Sequence, residues 1–172
     1  PECFIDASFG IHDGGRSRTG VCMMMAGACV GAWTSKQGMV TKSSTEAELV
    51  GFVDGCVHAL WARHWLHAQG FPDNPMLVWQ DNESTINILQ NEQGPSQRTK
   101  HLNIRMFFGN EKIRDKELYV KHKSTGDMIA DVLTKPLVGS QFSYLAGKLL
   151  GELQDQTSES TNSSLRRLRS VL

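Results

Sequence analysis

The sequence predicts an α/β domain, with a mixed sheet carrying helices on both faces. Three observations carry this. Three β-type segments at the N-terminus lie close enough in sequence to form an antiparallel meander. A long helix-like run (43–69) follows them. Beyond it strands and helices alternate, and the first of these strands is apolar enough to be buried on both faces. A chain of 172 residues is long enough for one such domain with a real core.

CFIDASF (3–9) has β-type residues and stops before GIHDGGRSRTG, whose glycines and charges read as loop. VCMMMAGACVGAWTS (21–35) is apolar but interrupted by Gly27 and Gly31. Glycine costs about 1 kcal/mol in a helix interior, so two short strands joined by a tight turn near Ala26–Gly27 are expected instead of a helix. Ser43 to Gln69 forms a long helix closed by Gly70, with Val50, Val53, Val57, Leu60 and Trp61 as its main apolar stripe. Leu49, Phe52, Cys56 and Leu66 widen that stripe, which predicts packing on more than one side. MLVWQD (76–81) is the buried strand, NESTINILQN a short helix, and Lys100 to Lys116 another helix after the loop EQGPSQ. ELYVKHKS (117–124) alternates as a strand. Gly126–Asp127 opens a last helix, MIADVLTK, broken at Pro136, and VGSQFSYLAGKLLG adds a further helical segment. The order is β-β-β-α-β-α-α-β-α, without internal repeat.

The domain is expected over residues 1–150. The polar, Ser/Thr-rich remainder, 151–172, ends in LRRLRSVL and is expected to be disordered or to connect to something outside the chain. A first residue of Pro1 instead of Met reads as a piece of a longer polypeptide. No apolar run approaches the ~18–20 residues that span a bilayer, and no signal peptide is visible, so no membrane partner is expected. Cys3, Cys22, Cys29 and Cys56 form no C-x-x-C pair and read as reduced, partly buried thiols of an intracellular protein. Eighteen basic and 18 acidic residues cancel, which argues against a dedicated nucleic-acid binder. Charge is uneven, however: between Arg98 and Lys123, basic residues outnumber Glu111, Asp115 and Glu117. That excess is suited either to phosphate contacts or to an ordinary solvated helix face with i,i+4 pairs.

Three aspartates stand where chemistry could use them. Asp6 lies inside the first strand, where an acid is unfavourable unless it faces water or has a task. Asp81 ends the buried strand, at the strand end where α/β sheets bind ligands, although a helix cap would explain it equally. Asp131 sits in the apolar turn MIADVL, and a place on the wet side of its helix would also account for it. In SSTEAELVG (43–51), Glu46 and Glu48 are roughly 200° apart on a helix and cannot serve one site together. Ser43–Glu46 and Thr45–Glu48 both fit the capping box S/T-x-x-E, and the helical wheel puts Glu46 nearer the apolar stripe. Residue chemistry alone leaves the pair undecided. Three or four carboxylates converging at one sheet end would suit hard divalent cations, which take oxygen ligands.

KSSTEAEL (42–49), QDNESTINI (80–88), RTKHLNIRMFF (98–108) and GDMIADVLTKPL (126–137) occur in this order, after IDASFG (5–10). Together they resemble the ribonuclease H domain of copia-type (Ty1/copia) retrotransposon Pol polyproteins, over about residues 3–138. The resemblance implies a ribonuclease H-like fold, with a five-stranded mixed sheet in the order 3-2-1-4-5. It implies endonucleolytic cleavage of the RNA strand of an RNA–DNA hybrid, dependent on two Mg²⁺ ions or on Mn²⁺, beside an adjoining reverse transcriptase domain of the same polyprotein. The family's catalytic and metal-binding carboxylates fall on Asp6, Glu48, Asp81 and Asp131. By that analogy Asp6 serves both ions, Glu48 and Asp81 complete one site, and Asp131 completes the other. Ser44 and Thr45 fall where the hybrid's minor groove is contacted, and Arg98 and Lys100 where a phosphate is held, although Thr99 could make that stretch a helix cap. The family register selects Glu48 as the ligand and leaves Ser43–Glu46 as the cap. The histidine that cellular ribonucleases H usually carry before the last aspartate is absent: Ser124–Thr125 occupy that loop and His122 receives no role. Asp127 would tune a metal site or cap the last helix. The alternative to an enzyme is a catalytically inactive or partner-dependent hybrid-binding module of a decayed polyprotein.

Overall fold

The structure, a computed structural model, describes residues 1–90 and 100–152, without side-chain detail for 100–103. Strands β1 (Glu2–His12), β2 (Arg16–Met25) and β3 (Ala28–Val40) form an antiparallel meander. Helix α1 (Ser44–Ala68) carries the chain across to β4 (Met76–Gln80), which lies parallel to β1. Helices α2 (Glu83–Gln90) and α3 (Lys100–Arg114) then lead to β5 (Leu118–His122), parallel to β4. A 3₁₀ turn (Thr125–Asp127), the single-turn α4 (Asp131–Thr134) and α5 (Gly139–Leu149) close the described chain. The sheet order is β3-β2-β1-β4-β5, the order that the family resemblance implies.

Ala26 (φ 52°) and Gly27 (φ 80°) both take left-handed conformations, the pair of torsions that a two-residue hairpin turn requires. The hairpins run further than their sequences suggest. β1 continues to His12 and β2 begins at Arg16, so GIHDGGRSRTG is mostly strand, turned by Gly14 and Gly15 at positive φ. β3 likewise extends to Val40, beyond the apolar segment. These outer strand segments face water for much of their length, so apolar patterning did not mark them.

α1 starts at the first of the two caps its sequence allows, the one the family register selects. Ser43 is the N-cap, and its Oγ accepts the Glu46 N–H at 3.2 Å. Glu46 reaches back one residue further than the usual box, to the Lys42 N–H at 2.7 Å. At the other end Gly70 (φ 88°) and Phe71 donate to the carbonyls of His67 and Leu66, a Schellman closure. The buried face departs from the predicted stripe at two residues: Val57 (54% exposed) and Trp61 (62%) point outward. The helix meets the sheet through small residues. A Cβ at Gly51 would lie 3.0 Å from the Ala7 Cβ, and one at Gly55 2.9 Å from Val21. The rest of the predicted stripe is buried as expected: Val50, Val53 and Leu60, with Leu49, Phe52 and Cys56 beside them.

Strand alternation separates two cores. Cys3, Ile5, Val21, Met23 and Val78 pack beneath α1 and its neighbours. Phe4, Cys22 and Met24 pack against Met128, Ile129 and Ala130 on the other side. The expected helix over MIADVLTK is reduced to Asp131–Thr134, because Pro136 holds Lys135 extended (φ −119°, ψ 144°) and Met128 is also extended. All four cysteines are free thiols, and Cys3, Cys22 and Cys56 are buried. Among the described residues, no helix is long and apolar enough to cross a membrane. Much of the basic excess is internally matched: Arg105 pairs with Asp54, and Lys112 with Glu117 at 2.9 Å. Lys121 and Lys123 lie over the rings of Tyr119 and Trp79. None of these contacts is the i,i+4 helix pairing that the sequence suggested.

Candidate metal centre

β1 and β4 pair from Glu2–Leu77 to Phe4–Trp79 and then part. Asp6 and Asp81 each lie two residues beyond that last pair, on either side of the crevice that opens. Such a crevice at the carboxyl end of strands is where α/β sheets place ligands. Asp6 shares Phe4's side of β1 and is fully buried, not the exposed strand residue its context allowed. Its antiparallel neighbour is Gly20. With no side chain there, α4 presses against the sheet: a Cβ at Gly20 would lie 2.6 Å from Thr134 Cγ2. The Thr134 hydroxyl consequently donates to Asp6 Oδ2.

Glu48 arrives from the opposite side on the first turns of α1 and is 6% exposed. Its Oε2 accepts the Ala7 N–H at 3.0 Å and the Gln80 amide at 3.4 Å. Gln80 is fully buried, and its Oε1 accepts the N–H groups of Asp81 (2.8 Å) and Asn82 (3.0 Å). Asp81 is freed from capping because Asn82 does that work, its Oδ1 accepting the Thr85 N–H at 3.0 Å. Thr125 fixes Asp81 Oδ2 with a 3.0 Å hydrogen bond. Asp131 is 2% exposed, so it is not on a wet helix face.

Carboxylate oxygens of Asp6, Glu48 and Asp81 lie within 4.8 Å of one another. Asp131 joins through Lys135, whose Nζ stands 2.8 Å from Asp131 Oδ1 and 3.3 Å from Asp6 Oδ1. The electrostatics show how crowded the acids are. Burial, reinforced by the charges of Asp6 and Asp81, pushes the Glu48 carboxyl up to about 9. Burial and the Asp6 charge push Asp131 up to about 7. Burial also raises Asp6, while Lys135 and the Thr134 hydroxyl pull it down. Burial lowers Lys135, but Asp6 and Asp131 outweigh it and hold the ammonium charged. A cluster of buried hard oxygen donors, which burial and mutual repulsion keep from ionising fully by itself, fits a hard divalent cation.

All four predicted carboxylates thus meet at one sheet end. Ser44, exposed, and Thr45, half-buried, form the first turn of α1 just ahead of Glu48. The Thr45 carbonyl accepts the Thr85 hydroxyl at 3.4 Å. Arg98 and Thr99 lie outside the described residues, and Lys100 is described only by its place at the start of α3. His122 is the last residue of β5. Asp127 neither joins the carboxylates nor caps a helix. It accepts from Tyr144 (2.7 Å), Lys148 (3.0 Å) and Ser124 (3.0 Å), and the Tyr144 hydroxyl foremost holds its carboxyl down at about 2. It pins α5 to the loop. Sequence reasoning missed Lys135, Thr134, Gln80 and Thr125. Lys135 had one readable signal, its i,i+4 spacing from Asp131.

No family model matches the chain. It is 31% identical over 140 residues, 81% of its length, to the retrovirus-related Pol polyprotein from transposon TNT 1-94 of Nicotiana tabacum. It is 33% identical over 120 residues, 69% of its length, to the polyprotein from transposon RE1 of Arabidopsis thaliana. A Gag-Pol polyprotein of transposon Ty1-NL2 from Saccharomyces cerevisiae is 26% identical over 83% of the chain. The chain spans 10%, 8% and 8% of these three relatives. Among solved structures, LC11-RNase H1 in complex with an RNA/DNA hybrid matches at a TM-score of 0.55 and 15% identity, over 77% of this chain and 91% of that one. The N-terminal RNase H domain of rv2228c from Mycobacterium tuberculosis, solved as a fusion with maltose binding protein, matches at 0.52 and 14%, over 84% and 96%. The chain therefore belongs with the Pol polyproteins of copia-type retrotransposons and has a ribonuclease H-like fold.

Proposed function

We propose that this domain hydrolyses the RNA strand of an RNA–DNA hybrid with the help of divalent cations, as the ribonuclease H part of a retrotransposon polyprotein acting beside a reverse transcriptase domain. The observation that carries the reading is the convergence of Asp6, Glu48 and Asp81 at the mouth of the β1–β4 crevice, with Asp131 alongside. Those three carboxylates would hold a Mg²⁺ or Mn²⁺ ion. A divalent ion bound there supplies Lewis-acid activation of water and charge stabilisation at a phosphodiester.

The remaining work belongs to the chain. The Ala7 N–H and the Gln80 amide hold Glu48 with Oε2 fixed, and the Thr125 hydroxyl orients Asp81. Such outer partners set ligand direction, and losing one typically costs 10–100-fold in metal affinity or activity. Thr134 and Lys135 hold Asp6 against the sheet. Ser44 and Thr45, on the exposed edge of α1, offer hydroxyls and N–H groups to the 2′-hydroxyls of the minor groove, where RNA differs from DNA. Support for the hybrid as substrate also comes from the LC11 structure, which holds one. The location we propose is intracellular, where the thiols stay reduced.

Strand-specific labelling tests the substrate. With Mg²⁺, cleavage is expected in the RNA strand of a hybrid and not in the DNA strand or in duplex DNA. Equal cutting of duplex DNA would replace this reading with that of a different metal nuclease.

A further inference from the structure

We propose that Lys135 is a resident cation of the carboxylate site. Its ammonium holds the Asp6–Asp131 half in the metal-free protein. One divalent ion then binds readily among Asp6, Glu48 and Asp81, and a second binds beside Asp131 only by displacing Lys135. The inference rests on the metal-dependent reading above and concerns how many ions that site takes.

Nζ lies 2.8 Å from Asp131 Oδ1, 3.3 Å from Asp6 Oδ1 and 4.0 Å from Asp81 Oδ2. It therefore stands in the gap between Asp6 and Asp131, where a cation joining those two carboxylates would sit. Mg²⁺ binds oxygens at about 2.0–2.1 Å, so an ion shared by the same two oxygens and the ammonium exclude one another. The backbone places the lysine there: Lys135 is extended ahead of Pro136, and its N–H donates to the Asp131 carbonyl at 2.9 Å. The side chain is 31% exposed, and its flexible stem gives the ammonium a route to water. The three-carboxylate half is thus left to the first ion, while the Asp131 half is already neutralised.

Calorimetric titration of the whole chain with Mn²⁺ tests this, using wild type, Lys135→Met and Lys135→Arg, with folding checked by circular dichroism. Wild type is expected to bind one ion tightly and a second weakly. Lys135→Met is expected to tighten the second ion at least about tenfold, a coupling of ordinary size. Lys135→Arg, which keeps the charge, is expected to behave as wild type. Melting gives a second readout: Lys135→Met should melt lower without metal and recover with Mg²⁺. A lysine that only supports the fold would lower melting equally with and without Mg²⁺, and that result overturns the proposal. An unchanged or weaker second ion in Lys135→Met, with the first ion intact, overturns this proposal alone. No binding in any of the three proteins overturns it together with the metal-dependent reading. If Lys135→Met does not fold even with Mg²⁺, Lys135→Gln carries the same comparison.

Discussion

Glu46 and Glu48 sit two residues apart and do unrelated things. Glu46 closes the capping box on the Lys42 N–H, and Glu48 is buried against Asp6 and Asp81. Glu48→Gln is expected to lower hybrid cleavage by at least about a hundredfold while leaving melting near wild type, because an amide replaces a carboxyl that burial already keeps protonated. Glu46→Gln is expected to keep most activity; the reverse pattern in a paired cleavage and melting measurement contradicts the assignment. Acidity adds a second expectation. The folded-state values of Glu48 (4.5 to about 9) and Asp131 (3.8 to about 7) are raised, so the native state holds more protons than the unfolded state in those windows. Stability must then fall as pH rises through them. Without metal, the melting temperature is expected to drop between about pH 6 and pH 9, and saturating Mg²⁺ is expected to flatten that slope by compensating the ionised acids. A metal-free melting temperature that rises over this range contradicts the burial of these groups.

At the scale of elements, the site depends on how closely α1 and α4 approach the sheet. Gly51 and Gly55 admit α1, and Gly20 admits α4. Gly20→Ala puts a Cβ 2.6 Å from Thr134 Cγ2 and 3.0 Å from Leu133 Cβ, an overpacking that typically costs 1–3 kcal/mol. The variant is expected to fold with α4 displaced and to lose cleavage out of proportion to its loss of stability. Full activity in Gly20→Ala, measured beside its melting curve, would contradict the role given to this contact. The same elements show what the sequence made legible. The closure at Gly70, the turn at Ala26–Gly27 and the strand β4 announce themselves through local chemistry, whereas the cap at Ser43 was one of two that fitted and β4 is fully buried on one face only. The apolar stripe of α1 was legible at Val50, Val53 and Leu60, but the closeness of its approach to the sheet was not, because Gly51 and Gly55 carry no hydrophobic signal. The single-turn α4 was not legible either: its position is set by long-range packing on Gly20 and by the proline behind it.

At the scale of the whole molecule, the topology does what no local pattern can: it brings four acids 125 positions apart in sequence, from Asp6 to Asp131, to one end of one sheet. Each acid alone had an adequate structural explanation, as an exposed strand residue, a helix cap or a wet helix face. Burial of Asp6 and Asp131 and the capping by Asn82 remove those explanations. The choice of Glu48 over Glu46 came from the family register, and the fold gives it a physical reason in the Ala7 and Gln80 hydrogen bonds. Of Lys135 only the i,i+4 spacing from Asp131 was legible; its contact with Asp6 is made by the fold.

The most direct test of the account is Mg²⁺-dependent cleavage of an RNA–DNA hybrid labelled on its RNA strand, comparing wild type with Asp81→Asn. Asp81 is held by Thr125 and is not needed as a helix cap, so the variant should fold as wild type does. The account predicts RNA-strand cleavage by wild type with Mg²⁺, none with chelator, and a loss of at least about a hundredfold in Asp81→Asn. Wild type no more active than a folded Asp81→Asn would contradict it.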